Sequence, residues 1–400
     1  MIMQAVLGNA SHPEYGVATI PLPIPREQYD HCIELLEALE IGNARKRDCK
    51  VMELDGPFPV LKRLEMLTVN LDELDYLAKR LDSFSTGENA QFQAMAHKLE
   101  LFEMKDLINL TFCRQQATVI TDFTNLESVG TDHYMNLHGG CASMEELENL
   151  DRLETALLLI DSGGGVITPY GVVYDNGMQL KPLYDEKHLP CYHYEADLLS
   201  VALTSRQDSG NPPNITWFYL PASHEQIDHA ILRSGITDPA DRYFQFADSS
   251  LPTEIDIALD FSNESIYDLN DMALSIEKLS DAEFDKLGAA VTMAKPESAN
   301  QILHLAENLD QFEFAPKVYS PAEYGKYMIQ ESGRFEFDPN LDEFYDYEGY
   351  ALQRMEQQYG MFTDRGYVSY HGVLSLDELM MEDPAQRYQE EQGFQMGGMQ

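Results

Sequence analysis

The sequence is organised around the run Phe344-Tyr345-Asp346-Tyr347-Glu348-Gly349-Tyr350 and the run Phe362-Thr363-Asp364-Arg365-Gly366-Tyr367-Val368. Both follow short, carboxylate-rich helical patterns that begin at Asn263. From residue 263 to residue 400 there are 27 acidic and 9 basic residues, a net charge of −18. Because disordered acidic chains lack aromatic residues, this stretch is expected to fold. The pattern therefore favours a function carried by surface charge rather than by a catalytic pocket.

The composition of the whole chain excludes several classes of partner. Its 400 residues suit two or three domains, and its formal net charge is −41. Phosphate contacts require Lys and Arg, so nucleic acid and anionic membranes are not expected as direct partners. A basic protein surface is the natural complement of such a charge. Adaptation to high salt is a further explanation of the acidity, and it predicts folding that depends on molar salt.

The cysteines and the N-terminus indicate a cellular compartment. Five cysteines are scattered through the chain without a CxxC pair, which suits a reducing cytoplasm better than a disulfide framework. No basic segment followed by a long apolar core opens the sequence, and no apolar run approaches ~18 residues. A cytoplasmic protein without a signal peptide or membrane span is expected.

Hydropathy patterns predict three small modules in the first part of the chain, over residues 1–66, 67–112 and 113–177. The first reads as α/β, with an edge strand at 17–22 that carries a proline and a helix over 28–39. The third reads as α/β as well. It combines strand-like runs with an acidic helix, as follows: strands at 117–120, 157–160 and 171–174, and a helix over 144–153.

The module over 67–112 reads as a pair of acidic helices. Leucines at helical spacing from Leu71 to Leu81 mark an apolar stripe, and the carboxylates between them are expected to face outward. In the second helix, which follows Gly87, the pattern places five residues on the inner face: Phe92, Met95, Ala96, Leu99 and Phe102.

The pattern of the first part then recurs. Leu22-Pro23, followed six residues later by a Gln-x-Asp-His group, has a counterpart in Leu220-Pro221 with the same spacing, at an offset of 198. Gly171-Val172-Val173 corresponds to Gly366-Tyr367-Val368 at an offset of 195. Similar order and spacing predict a diverged tandem duplication, with copies near 1–177 and 214–374. The remaining modules are a linker over 178–213, then 214–262 (α/β), 263–312 (acidic helices), 313–374 (α/β) and a tail over 375–400.

The expected fold class is mixed α+β, an elongated tandem of small α/β and helical modules. Turn residues from Ser209 to Pro213 support the linker. A short helix is expected over 374–382, and disorder is expected from residue 383 onward.

His188, Cys191 and His193, with Glu195 and Asp197 close by, form the best cluster for a metal site or a thiol enzyme. Zinc sites draw ligands from two separated pairs, and no second pair has suitable spacing. A thiol and an imidazole two residues apart also lack a third group to orient them. No metal and no cofactor is therefore expected. A Cys/His-centred metal protein or enzyme is the alternative from a different class.

The glycine-rich run Asp161-Ser162-Gly163-Gly164-Gly165 follows a strand-like pattern, as a phosphate-binding turn does. It has neither a GxGxxG pattern nor a P-loop lysine, so a hairpin turn is expected instead.

The carboxylates of the helical modules carry the strongest functional signal. Any single one ordinarily belongs to a solvated helix face. Ordinary surfaces, however, mix both signs of charge, and lysines are few here. The candidate partner-binding residues from this pattern are Asp72, Glu73, Asp75, Asp268, Asp271, Glu277, Asp281, Glu283, Asp285, Glu307 and Asp310.

The aromatic residues near the C-terminal carboxylates form a second candidate group. They are expected to serve core or interface packing, with partner contact as the alternative. They comprise Tyr324, Tyr327, Met328, Tyr345, Tyr347 and Tyr350.

An ordered series of segments in the second copy resembles the ArdA family of antirestriction proteins. The series covers about 214–374. It runs through Tyr243–Asp248 with Leu251-Pro252, the helical stretch Ser265–Leu309, Tyr324–Gly333, Tyr345–Tyr350 and Gly366–Val368.

The resemblance implies a curved, non-enzymatic DNA mimic that occupies the DNA-binding groove of type I restriction-modification enzymes. The implied partner is the methyltransferase–specificity core, and another anti-phage nuclease or DNA-binding protein is the alternative. The resemblance also implies dimer contacts around Tyr324–Gly333, so a homodimer or an intrachain pseudo-dimer is expected. Further carboxylates implied to replace phosphates are Glu331, Asp342, Glu343, Asp346 and Glu348.

The chain departs from the family pattern in its first copy and in its length, about twice that of a typical member. Residues 1–66 hold 10 acidic and 7 basic residues, a net charge of −3. That module is therefore a poor phosphate mimic, and the role of the first copy stays open.

Overall fold

Short antiparallel sheets alternate with groups of helices along the chain in the computed structural model, which describes residues 2–177, 179–208 and 214–381. The fold is mixed α+β, which confirms the predicted class. The predicted turns at 209–213 and the predicted disorder from residue 383 lie outside the described residues. The chain divides into two units: unit 1 comprises the described residues within 1–196, 203–217 and 223–242, and unit 2 those within 197–202, 218–222 and 243–400.

Unit 1 begins with a four-stranded sheet of order β2-β1-β3-β4. Its strands are β1 (Met3–Asn9), β2 (Val17–Leu22), β3 (Cys49–Asp55) and β4 (Thr68–Val69). All neighbouring strands are antiparallel, and β2 lies at the edge as its proline predicts. Alternate side chains of β1 point into the core, with Ala5 and Leu7 fully buried.

Helices in unit 1 have start signals and apolar faces that explain their bounds. Asn70 caps the second helix by accepting a hydrogen bond from the amide of Glu73, and Leu71, Leu74 and Leu77 of its stripe are buried as predicted. The helices are α1 (Tyr29–Glu37), α2 (Leu71–Asp82), α3 (Thr86–Lys98), α4 (Met104–Leu110), α5 (Leu126–Leu137), α6 (Met144–Asn149), α7 (Arg152–Asp161) and α8 (His224–Ser234).

Two predictions for the end of the helical module are wrong. Leu99 and Phe102 are 38% and 50% exposed, because α3 ends at Lys98 and the chain turns away from the helical period. Phe102 instead lies beneath the guanidinium of Arg63, 4.7 Å from its ring centroid.

A second sheet of unit 1 has the order β5-β7-β6 and is antiparallel. Its strands are β5 (Ala117–Ile120), β6 (Val166–Thr168) and β7 (Gly171–Asp175). The expected strand at 157–160 is wrong, because these residues form part of α7, with Asp151 as its N-cap. A short apolar run does not distinguish a strand from a helix by itself. The Asp161–Gly165 run therefore begins with the last residue of α7, connects that helix to β6 and is not a hairpin turn.

Strand β8 (Leu199–Ser205) lies inside the segment predicted to be a linker. It is the central strand of a sheet of order β10-β8-β9, with β9 (Thr216–Leu220) and β10 (Arg242–Ser249). The side chain of Tyr184, also in that segment, is fully buried in the core of unit 1. The segment predicted as a linker therefore contains a strand and a buried core residue.

The helices of unit 2 precede and flank its last sheet. Four come first: α9 (Thr253–Ala258), α10 (Ile266–Ile276), α11 (Asp281–Ala294) and α12 (Ala299–Glu307). A sheet of order β11-β13-β12 follows, built from β11 (Phe312–Pro316), β12 (Tyr359–Thr363) and β13 (Gly366–Tyr370). Between β11 and β12 lie α13 (Pro321–Lys326), a π-helical turn (Tyr327–Glu331), a 3-10 helix (Pro339–Phe344) and α14 (Tyr347–Met355). The predicted helix near the C-terminus is α15 (Leu376–Met381).

Candidate protein-interaction surface

The predicted carboxylates of α10 and α11 lie away from the apolar face of their helices. Leu269, Met272 and Ala273 of α10 are fully buried, whereas Asp268 and Asp271 are half-buried. The remaining predicted carboxylates of this region are exposed: Glu277, Asp281, Glu283 and Asp285. Helical periodicity therefore separates a packed face from an acidic one.

The carboxylates of Glu283 and Asp285 have structural partners. Glu283 accepts hydrogen bonds from the amide and the hydroxyl of Ser280 at 2.9 and 2.7 Å, in a capping box that starts α11. The hydrogen bond from the Ser280 hydroxyl is the main reason that the pKa of Glu283 is lowered. Asp285 accepts a hydrogen bond from Arg365, which also pairs with Glu254 at 2.7 Å. Both carboxylates are therefore held in place by these bonds.

A second acidic stretch lies between the π-helical turn and α14. Residues 331–348 contain seven exposed acidic residues and one basic residue, Arg334, which pairs with Glu313 at 3.1 Å. The predicted members are exposed: Glu331, Asp342, Glu343, Asp346 and Glu348. Glu307 and Asp310, which precede β11, are exposed as well. This stretch has almost no positive charge of its own with which to satisfy its carboxylates.

The aromatic candidates divide into core and partly exposed groups. Tyr324 and Met328 are fully buried, and the ring of Tyr324 lies 4.2 Å from that of Tyr367. Core packing is therefore confirmed for these two residues. The others are half-buried: Tyr327, Tyr345, Tyr347 and Tyr350.

The three candidate carboxylates of α2 do not face outward, so that prediction is wrong. Glu73 and Asp75 are only 3% and 7% exposed, and the side chain of Asp72 is 16% exposed. Glu73 accepts a 2.5 Å hydrogen bond from the hydroxyl of Tyr184. Asp75 accepts one from the amide of Ile24 at 2.7 Å and pairs with Lys79 at 2.9 Å.

Asp72 binds two basic side chains of α8. Arg233 donates to Oδ2 of Asp72 at 3.1 Å, and Nδ1 of His229 lies 2.9 Å from Oδ1. Burial acts to lower the pKa of His229, but the charge of Asp72, the hydrogen bond with Asp72 and the hydrogen bond with the Gly42 carbonyl together outweigh it and raise that pKa. Burial likewise acts to raise the pKa of Asp72, and His229 with Arg233 lowers it overall. The carboxylates of Asp72, Glu73 and Asp75 therefore already have partners within unit 1.

Unit 1 instead exposes carboxylates that the sequence reasoning missed. Residues 121–165 contain nine acidic residues, all exposed, and one basic residue, Arg152. The acidic members are Asp122, Glu127, Asp132, Glu145, Glu146, Glu148, Asp151, Glu154 and Asp161. The scarcity of basic residues in this window was a signal that could have identified them.

The Cys/His cluster does not form a metal site among the described residues, where no group of three or more ligands is suitably placed. Sγ of Cys191 lies 3.7 Å from Nε2 of His193, and both side chains are exposed. All five cysteines are free thiols.

Comparison with protein families gives a match in the second half of the chain. Residues 213–369 match the family model of the antirestriction protein ArdA. This segment contains β9 to β13 together with the acidic helices and the stretch 331–348. No curated protein matches the chain. Within the described part of the chain, no helix is both long enough and apolar enough to cross a bilayer.

Proposed function

We propose that the protein is a stoichiometric, non-enzymatic inhibitor that presents carboxylates in place of DNA phosphates to a type I restriction-modification enzyme. The observation that carries the proposal is the family match over 213–369, which contains all thirteen candidate carboxylates of the second half. The partner surface would be the DNA-binding groove of the methyltransferase–specificity core. No cofactor takes part.

Elementary electrostatics supports this mode of action. Carboxylates accept charge-assisted hydrogen bonds from Arg and Lys much as phosphates do. Arginines of unit 2 are largely neutralised by internal partners, since Arg354 pairs with Glu313 and Arg365 with Glu254. The acidic excess is thus available to attract a basic groove over long range and to accelerate association.

We also propose that the first half of the chain is a second copy of the same domain. In unit 1, the hydroxyl of Thr168 donates to the carbonyl of Gly171 at 2.8 Å and accepts from the amide two residues on at 3.2 Å. In unit 2, Thr363 makes the same pair of bonds with Gly366 and Arg365 at the same two distances.

Two further correspondences support the second copy. A Cβ at Gly130 would overlap the carbonyl oxygen of Arg152, and a Cβ at Gly325, 195 residues later, would overlap that of Tyr347. The sheet orders β5-β7-β6 and β11-β13-β12 are also equivalent. In this proposal the first copy does not offer its α2 carboxylates to a partner, because α8 already binds Asp72.

The test is displacement of labelled DNA from a purified type I methyltransferase–specificity core by the full-length protein. We expect displacement at about one chain per DNA site, weakening as salt is raised because exposed charges are screened over about 10 Å at 0.1 M. Absence of displacement at low ionic strength would reject the proposal for this target. Capture of a different nuclease from a host with several defence systems would then favour the alternative target.

A pair of charge-matched variants makes the test specific. The triple variant Glu331→Gln, Glu343→Gln, Glu348→Gln removes three exposed carboxylates from the acidic stretch. The control, Glu37→Gln, Glu53→Gln, Glu103→Gln, removes three exposed carboxylates of unit 1 outside the proposed surface. We expect the first variant to displace DNA at least tenfold less well and the control to act as the wild type. Equal losses would mean that only net charge matters.

A further inference from the structure

The π-helical turn after α13 brings one amide side chain to the acidic stretch. The turn spans Tyr327–Glu331, and the amide of Ser332 bonds to the carbonyl of Tyr327, five residues back, at 2.9 Å. Single π-helical turns are rare and frequently occur at functional sites. Gln330, in the last part of this turn, is half-buried and reaches the 3-10 helix Pro339–Phe344.

Gln330, Asp342 and Tyr347 form a closed set of hydrogen bonds. Nε2 of Gln330 donates to Oδ1 of Asp342 at 2.7 Å and to the hydroxyl oxygen of Tyr347 at 2.7 Å. The hydroxyl of Tyr347 in turn donates to the same Oδ1 at 2.5 Å. Three separate elements therefore meet at one carboxylate oxygen.

This carboxylate differs from its acidic neighbours in how it is held. Glu331, Glu343 and Glu348 are exposed and make no hydrogen bond through their carboxylates to the described residues. Asp342 is exposed too, yet two donors fix Oδ1, and within the described chain Oδ2 accepts no hydrogen bond. Both donors are neutral, so the negative charge of Asp342 is oriented without being cancelled.

Preorganisation gives such an arrangement a functional consequence. A phosphate of a duplex has a fixed position, whereas a free side chain must lose rotamer freedom when it binds. A carboxylate that is already oriented avoids that loss, and its free oxygen can accept a charge-assisted hydrogen bond from a guanidinium.

We infer that Gln330 and Tyr347 are positioning residues that hold Asp342 ready to receive an arginine of the partner's DNA-binding groove. The inference rests on the proposed function and adds to it one defined contact. The acidic stretch would then combine mobile carboxylates, which attract the partner, with one oriented carboxylate that fixes where the partner's arginine lies.

The experiment is a double-mutant cycle in the DNA-displacement assay with the full-length protein. Tyr347→Phe and Gln330→Met remove the donors and retain most of the side-chain volume, and Asp342→Asn removes the charge. We expect each donor variant to displace DNA about 2- to 10-fold less well, the range for ordering one side chain. In the Asp342→Asn background the same two variants should have no further effect. Tyr359→Phe, which changes a tyrosine of β12 that is 65% exposed and lies outside the acidic stretch, is the matched control and should act as the wild type.

Two outcomes of the cycle would overturn the inference. Donor variants that match the wild type would show that Asp342 needs no positioning. Losses that persist in the Asp342→Asn background would show that the donor variants act through the fold.

A partner-free measurement separates this inference from the proposed function. Three-bond NMR couplings about the Cα–Cβ bond of Asp342 should report one rotamer in the wild type and averaging in Tyr347→Phe. Averaging in both proteins would overturn the inference even where DNA displacement is observed. Should the wild type displace no DNA, the proposed function fails and these couplings alone decide whether Asp342 is held.

Discussion

Arg233 of α8 donates a hydrogen bond to Asp72 of α2 across 161 positions of sequence. The same guanidinium donates to the hydroxyl of Tyr184 at 3.1 Å, and that hydroxyl donates to Glu73. Arg233 thus pairs directly with Asp72 and reaches Glu73 only through Tyr184, whereas Nε of Arg47 lies 3.9 Å from the Glu73 carboxylate. The network explains why α2 can bury acidic side chains at all, since a buried charge without a partner is costly.

Arg233→Met should destabilise unit 1 by about 3–5 kcal/mol, because it leaves the buried Asp72 without its guanidinium. The side chains of Arg233 and Asp72 are only 8% and 16% exposed, so solvent screening is weak. Denaturant unfolding measures the change, with exposed Arg152→Met as the control. Adding Asp72→Asn to Arg233→Met should recover part of the loss, and a strictly additive double variant would contradict the pairing.

His229 should make the stability of unit 1 depend on pH. Its folded-state pKa is raised by Asp72, so its stabilising contribution is complete below the unfolded-state value of about 6.5 and is lost as pH rises through the folded value. The groups that face it are Asp72 and Arg233, with the Gly42 carbonyl 3.0 Å from Nε2 and the Tyr29 ring 6.2 Å away. The unfolding midpoint should therefore decrease as pH rises above about 6.5.

The matched control for this pH dependence is His31, which occupies the corresponding position in α1 and is 70% exposed. His229→Asn should flatten the profile of the unfolding midpoint over that pH range, and His31→Asn should leave it unchanged. Identical profiles for the wild type and His229→Asn would show that another group titrates.

Gly325→Ala should destabilise unit 2 by about 1–3 kcal/mol or more, because the added methyl group meets the backbone of α14 at the Tyr347 carbonyl. Gly87→Ala is the control, since a Cβ there meets no atom within 4 Å in α3. The control should be neutral or slightly stabilising. Thermal unfolding of the two variants gives the comparison, and a tolerated Gly325→Ala would mean that α13 and α14 can separate.

Asn270→Asp should destabilise unit 2 by about 3 kcal/mol at pH 7. Asn270 is fully buried, accepts from the amide of Ala222 at 2.8 Å and donates to its carbonyl at 2.9 Å. In the proposed first copy, Asp75 corresponds to Asn270 and pairs with Lys79. The residue of unit 2 that corresponds to Lys79 is Leu274, which carries no positive charge. The loss should shrink as pH falls, because a protonated carboxyl can again donate to the carbonyl. Asn270→Leu should show a loss without this pH dependence.

The fold was predictable from sequence where local patterns decide it. The leucine stripe of α2 and the edge strand β2 follow from periodicity and from the proline, and both predictions are confirmed. The predicted strand at 157–160 is wrong because four apolar residues fit either conformation, and the N-cap at Asp151 is what marks the helix.

The candidate surface was predictable only in part, for a different reason. Exposure of the acids from Glu331 to Glu348 follows from their density along the chain. Burial of Asp72, Glu73 and Asp75 depends on partners 51 to 161 positions away, which no local pattern contains. The hydrogen bonds of Asp342 with Gln330 and Tyr347 likewise depend on a π-helical turn that no sequence pattern predicts.

The contact between α8 and α2 also limits how the chain can associate with itself. A head-to-tail contact that recurs on every copy builds an open filament. In the proposed pair of copies, His229 and Arg233 of α8 correspond to His31 and Leu35 of α1, and the acceptor Asp72 of α2 corresponds to Tyr267 of α10. Neither complementary surface is therefore repeated, and this contact terminates after a single step instead of propagating into a polymer.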